Sequence, residues 1–130
     1  MKTMNFLFCV AIMLGIVLCA FAAGASDKKG PLRHVVAFKF KDTATPDQIK
    51  EIENAFRALK HKIPEVVSLE WGTNVSKENR DKGFTHCFIV TFKDEKSRDT
   101  YLVHPEHKKF VDLALPSVAD VFVLDILARD

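Results

Sequence analysis

The segment Tyr101-Leu102-Val103-His104-Pro105-Glu106-His107 gathers a phenol and two imidazoles around a proline. Imidazole is the side chain whose unperturbed pKa lies nearest neutrality, so it can take and return a proton without help from its surroundings. A neutral His107 could remove a proton alpha to a carbonyl, and Tyr101 could donate to the oxyanion that develops or orient the imidazole. At this spacing on one uninterrupted helix, Tyr101 and His107 would be rotated by roughly 240° and could not face one pocket. A proline inside a helical run breaks or bends it. The break at His104-Pro105 is what would bring the two side chains together. A third imidazole, His34, lies on the apolar side of the first strand and could complete a hydrogen-bond chain.

The elements that must position these groups follow from hydrophobic period. From Leu32 to Phe40, His34, Val36, Phe38 and Phe40 alternate with Val35, Ala37, Lys39 and Lys41, which predicts a strand. Thr45-Pro46-Asp47-Gln48 reads as a helix start, with Thr45 as N-cap, Pro46 in the first turn and Gln48 closing a capping box. Ile49, Ile52, Ala55, Phe56, Leu59 and Ile63 follow at helical spacing until Pro64 ends the run. Val66 to Val75 is a second strand interrupted by Gly72, and the charged loop Ser76 to Gly83 leads to a third strand, Phe84 to Phe92. Asp94 caps a helical segment through Val103, Pro105 restarts helix as far as Leu115, and Val118 to Leu127 alternates as a final strand.

Strand, helix, strand, strand, helix, strand is the α+β, ferredoxin-like βαββαβ order: a four-stranded antiparallel sheet with helices on one face. The strands are apolar on both faces, and one layer of helices can cover only one of them. A large contiguous apolar patch marks an interaction surface. The economical cover is a second copy of the chain, so the expected partner is a homodimer mate packed through the sheet face.

The first 25 residues read as something other than fold. Met1-Lys2 is a positive start, Phe6 to Phe21 is apolar, and Ala20-Phe21-Ala22 and Ala23-Gly24-Ala25 offer cleavage sites before the polar lead 26–31. The expectation is a secretory signal and a secreted or periplasmic domain over 32–130. The uncharged run Phe6 to Ala25 is also long enough to span a bilayer, so an uncleaved anchor is the alternative, and a membrane is a partner only in that case. Cleavage would remove Cys9 and Cys19 and leave Cys87 alone, so no internal disulfide is expected and the core must hold the domain. Cys87, inside an apolar strand, reads as a small buried hydrophobe.

The formal charge of +2, without a basic stripe, argues against nucleic acid as a partner. His104, Glu106 and His107 are close in sequence, but no His-Glu-x-x-His or Cys-x-x-Cys pattern is present, so neither a metal nor another cofactor is expected. The chain has no glycine-rich phosphate loop and no Gly-x-Ser-x-Gly element.

His34-Val35-Val36-Ala37-Phe38-Lys39-Phe40-Lys41-Asp42, Trp71-Gly72, Gly83-Phe84-Thr85-His86 and Tyr101-x-x-His104-Pro105-x-His107-x-x-Phe110 resemble the stress-responsive dimeric α/β-barrel (Dabb) family. The resemblance runs from His34 to about Ile126 and implies a barrel formed by two sheets across a dimer. It also implies site roles. In a polyketide cyclase of the family, which closes a linear thioester by intramolecular aldol condensation, the catalytic histidine and tyrosine match His107 and Tyr101, and a pocket histidine matches His34. Where that enzyme has a pocket tyrosine and a small strand residue, this chain has Phe56 and Phe88, which should narrow the cavity and remove a polar contact.

The candidate catalytic residues are therefore His107, Tyr101 and His34. The candidate ligand pocket is Val36, Phe38, Phe56, His86, Phe88, Val90, His104 and Phe110. Three functions stay open: binding a small, largely apolar molecule between sheet and helices, lyase or cyclase chemistry at His107 and Tyr101, and a purely structural stress protein. In the structural reading Tyr101 is a core aromatic, His104 caps helix carbonyls, His107 bonds to backbone and His86 is a satisfied strand residue. His61, between Lys60 and Lys62, is expected at the surface.

Overall fold

The computed structural model describes residues 29–129. The leader expected at 1–25 and the first half of the polar lead, 26–28, lie outside the described residues. The elements are β1 (Leu32–Phe40), α1 (Pro46–Lys62), β2 (Ser68–Thr73), β3 (His86–Phe92), α2 (Glu95–Leu102), α3 (Pro105–Ala114), a short 3₁₀ turn (Leu115–Ser117) and β4 (Val118–Leu127). The strands form one sheet in the order β2-β3-β1-β4, with antiparallel neighbours throughout. This is the ferredoxin-like α+β arrangement, with the two helical crossovers packed on one face.

Local chemistry sets the element ends. Thr45 accepts from the Gln48 amide at 3.3 Å, and the Gln48 side chain accepts from the Thr45 amide at 2.9 Å, so the capping box starts α1. Asp94 accepts from the Ser97 amide at 2.8 Å and starts α2. At the end of the β2–β3 loop Gly83 has φ +85°, the left-handed conformation that calls for glycine.

The period of two in β1 places Leu32, His34, Val36 and Phe38 under the helices, and β3 contributes Phe88, Val90 and Phe92 to the same face. Ile52, Phe56, Leu59 and Ile63 close over them from α1 and its C-cap. Phe56 stacks on Phe88 with ring centroids 4.0 Å apart and planes 8° from parallel. Truncating such a ring to alanine typically costs about 3–5 kcal/mol.

The helical layer stops short of β4. Val121 and Val123, which pair with Phe38 and Val36 and share their face, remain partly exposed. On the opposite face, Phe122 and Leu124 are each 49% exposed and Ile126 is 44% exposed, continuing a surface that includes Val35, Ala37 and Ile89. The sheet thus presents an apolar back that the described residues do not cover. Cys87 sits on this back and is only partly buried, which corrects its expected core position. Its strand face, rather than its apolar neighbours in sequence, decides the outcome.

Candidate functional site

The proline break makes the site. α2 ends at Leu102, and His104 becomes the N-cap of α3, with its Nδ1 accepting from the Glu106 amide at 3.1 Å. Pro105 occupies the first turn, where it has no hydrogen bond to lose. The change of direction returns His107 to Tyr101, with ring centroids 4.5 Å apart. Tyr101 in turn lies 6.0 Å from the ring of His34 on β1, and edge-on to it.

These three side chains line one cavity of about 320 Å³ between α2, α3, β1 and β4. Its floor and walls include Val36, Phe38, Phe56, Phe110, Val111 and Val123, and Asp125 stands at its polar end beside His34. The volume is at the small end of ligand sites, and the mixture of apolar walls with a few convergent polar groups is typical of them. Two wider clefts, about 420 and 430 Å³, border Trp71 at the other edge of the sheet, and neither is lined by a polar group as deeply buried and partnerless as Tyr101.

Hydrogen bonding distinguishes the three polar residues. Tyr101 is 1% exposed as a residue, and its hydroxyl, at the cavity wall, has no hydrogen-bond partner among the described residues; the fully buried polar side-chain atoms without a partner are instead Glu65 Oε2 and Thr91 Oγ1. Burial pushes its phenol well above the usual range, so the group is a proton donor and not a phenolate. His107 Nδ1 lies 3.1 Å from the Leu102 carbonyl. A carbonyl only accepts, so the proton is on Nδ1 and a neutral ring has its lone pair on Nε2. Burial holds His107 below the ordinary imidazole value and outweighs the Leu102 carbonyl, while nearby His34 adds to the lowering. His34 is 5% exposed, with Nδ1 2.5 Å from Asp125 Oδ1.

Of the expected pocket, Val36, Phe38, Phe56 and Phe110 line this cavity, whereas His86, Phe88, Val90 and His104 do not. Phe88 and Val90 face the helices from β3, where α1 seals them completely, and the open space lies over β1 and β4 instead. His86 is engaged on both sides, with Nε2 2.9 Å from Glu53 and Nδ1 2.8 Å from Thr85, and so ties α1 to β3. His104 caps an amide of its own helix rather than carbonyls. Phe56 borders the cavity as a ring with no polar atom, and His61 is exposed.

Sequence reasoning did not single out Asp125 as a site residue, although an acidic residue on the apolar side of β4 was a signal. The register pairs it directly with His34. Among the described residues, no three metal-capable side chains gather in one place.

Residues 32–128 match the stress-responsive A/B barrel domain family, Dabb. The chain belongs to that family. One relative is the stress-response A/B barrel domain-containing protein HS1 of Arabidopsis thaliana, 35% identical over 99 residues that cover 76% of this chain and 91% of HS1. The olivetolic acid cyclase of Cannabis sativa is 33% identical over 98 residues, covering 75% of this chain and 97% of the cyclase. Among solved structures, the hydroxynitrile lyase of Passiflora edulis superposes with a TM-score of 0.74 at 25% identity, covering 78% of this Dabb chain and 96% of the lyase. A protein from Jannaschia sp. CCS1 described as dimeric and ferredoxin-like superposes with a TM-score of 0.67 at 24% identity, over 76% of this chain and 100% of its own, a likeness of fold.

Proposed function

We propose that this Dabb protein is an exported homodimer that binds a small, largely apolar molecule with one polar end in the cavity beneath α2 and α3. The observation that carries the reading is the Tyr101 hydroxyl of an otherwise buried ring, held protonated and without a partner among the described residues, on the wall of that cavity. A buried polar group normally finds a hydrogen-bond partner. A ligand oxygen set against Tyr101, with its apolar body along Phe38, Phe110 and Val123, supplies one. Thermal-shift screening with short acyl chains, phenols and quinones tests this, because a ligand that binds only the folded state stabilises it by mass action. A saturable rise in Tm with at least one class is expected, and its loss in Tyr101→Phe ties it to the cavity. A flat response across all three classes counts against the proposal.

The second reading, acid–base catalysis of the lyase or cyclase type, is favoured by the His107 tautomer. Nε2 of a neutral His107 would take a proton alpha to a carbonyl while Tyr101 donates to the oxygen on which charge develops. General-base catalysis typically contributes about 10²–10⁴-fold, which is adequate for an activated substrate. The cyclase and lyase relatives make this chemistry reasonable for the family. His107→Ala would then keep ligand binding and lose turnover.

The homodimer rests on the apolar back of the sheet, with Phe122, Leu124 and Ile126 at its centre. A two-fold pairing of identical patches is the usual way to cover such a surface. Export rests on the positive, apolar and small-residue order of the first 25 residues.

A further inference from the structure

Asp125 is held from two sides. Its Oδ1 lies 2.5 Å from Nδ1 of His34 on β1, and its Oδ2 is bonded by Nη1 of Arg98 on α2. Arg98 is itself fixed from behind, where its Nε donates to Asp99 at 2.8 Å. Asp125 lines the cavity, and Arg98 reaches it from an adjoining outer cleft that the two share, with side chains 27% and 20% exposed. A guanidinium only donates, so Oδ2 of Asp125 must accept. That leaves Oδ1 as an acceptor for His34, and the proton between them belongs on Nδ1. Nε2 of His34 bonds to no described residue, and the ring lines the cavity.

We propose that Arg98 is a positioning residue for the cavity: by occupying Oδ2 of Asp125, it leaves Oδ1 to accept from Nδ1–H of His34, which fixes the tautomer and turns the Nε2 lone pair toward a ligand. The assignment rests on the reading of this cavity as a ligand site and adds a second imidazole acceptor, across the Tyr101 donor from His107. The groups around His34 are few. Asp125 faces it from β4, Arg98 and Tyr101 come from α2, and the cavity also brings His107 of α3 near it. β3 presents the apolar ring of Phe92, 6.2 Å away. With Arg98 gone, Asp125 would lose the bond that holds its carboxylate in place, and the His34 ring would lose the fixed acceptor that sets its tautomer. Arg98 and Tyr101 are one helical turn apart on α2, so the same bond to β4 also steadies the phenol.

The test is the imidazole ¹⁵N spectrum of the ligand-free protein at neutral pH, with His34 assigned by its loss in His34→Gln. The wild type is expected to show a protonated Nδ1 and an unprotonated Nε2. In Arg98→Met, which keeps most of the stem and removes the donor to Asp125, both ring-nitrogen signals should move toward the averaged position of mixed tautomers. Arg98→Lys, which keeps a cationic donor, should restore the wild-type pattern. A merely structural tether would lower stability in Arg98→Met and leave the His34 pattern unchanged, and that outcome overturns the proposal. If Arg98→Met does not fold, the wild type still decides: a proton on Nε2, in either the other tautomer or an imidazolium, overturns it. No ligand is present, so failure of the ligand screen and failure of this assignment are read separately.

Discussion

Replacing Tyr101 with Phe deletes one oxygen and leaves the ring that packs against Phe92, at a centroid distance of 4.9 Å, and against His107. Were the hydroxyl a satisfied core group, its loss would cost about 0.5–1.5 kcal/mol, the usual net value of a hydrogen bond. No described residue bonds to it, so that loss should be absent. A buried hydroxyl without a partner is itself unfavourable by about 1–3 kcal/mol, reduced here because the cavity is wide enough to admit water. The expected change runs from neutral to about 1 kcal/mol more stable. For a domain of this size 1 kcal/mol corresponds to about 4–8 °C in Tm. Calorimetry or urea unfolding at one fixed protein concentration measures it, since the stability of the proposed dimer would depend on concentration. The same substitution should weaken a ligand that bonds to the phenol by roughly tenfold, about 1.4 kcal/mol. Stability held or gained together with binding lost is the mark of a functional hydroxyl. A fall of about 1 kcal/mol or more in the Tyr101→Phe variant would refute the reasoning and favour a purely structural tyrosine.

Phe122→Asp should convert the proposed dimer to monomer while circular dichroism stays unchanged. Covering a half-exposed phenylalanine is worth about 1 kcal/mol, it is lost once per protomer, and a buried unpaired carboxylate adds several more; light scattering showing equal mass for variant and wild type would count against the sheet-face interface. His107 carries a pH dependence of definite sign. Its folded value is depressed by burial, so the unfolded chain takes the proton first as pH falls. Its contribution is therefore complete above the ordinary imidazole value near pH 6.5 and is lost as pH falls through that value toward the folded one. Urea midpoints between about pH 7.5 and 5.5 should fall less in His107→Gln than in wild type. Glu53→Ala should destabilise by about 1–3 kcal/mol, because His86 then keeps a mostly buried ring nitrogen without its partner on α1; a shift in urea midpoint below about 0.5 kcal/mol would show that the pair is not the tether described.

The fold was legible wherever a single period ran unbroken. β1 and β4 fall where alternation placed them, and the Thr45 capping box and Pro64 bracket α1. The outer strands were harder. β2 is shorter than Val66 to Val75 because the Val66 amide turns back to the Ile63 carbonyl at 3.2 Å, and Val75 lies beyond the last paired residue. β3 begins at His86 rather than Phe84, since the Phe84 amide closes the loop on Asp81. Within the site, the proline spacing pointed to the Tyr101–His107 encounter, and the odd position of His34 on an apolar face pointed inward. The limit was the sheet. Period two says which face His86, Phe88 and Val90 occupy, but not that α1 lies directly over their strand and leaves β4 bare. The Asp125–His34 pairing also needed the antiparallel register, and Arg98 needed the approach of α2 to β4. Neither is encoded in local spacing.

In the proposed function the space walled by Tyr101, His107 and His34 receives a small molecule. The most direct measurement titrates a thermal-shift hit into isotope-labelled protein and maps the resonances that move. The account predicts saturable shifts, greatest at Tyr101, His107 and His34 and extending along Phe38, Phe110 and Val123. Shifts gathered around Trp71 at the far edge of the sheet, or none that saturate, would contradict it.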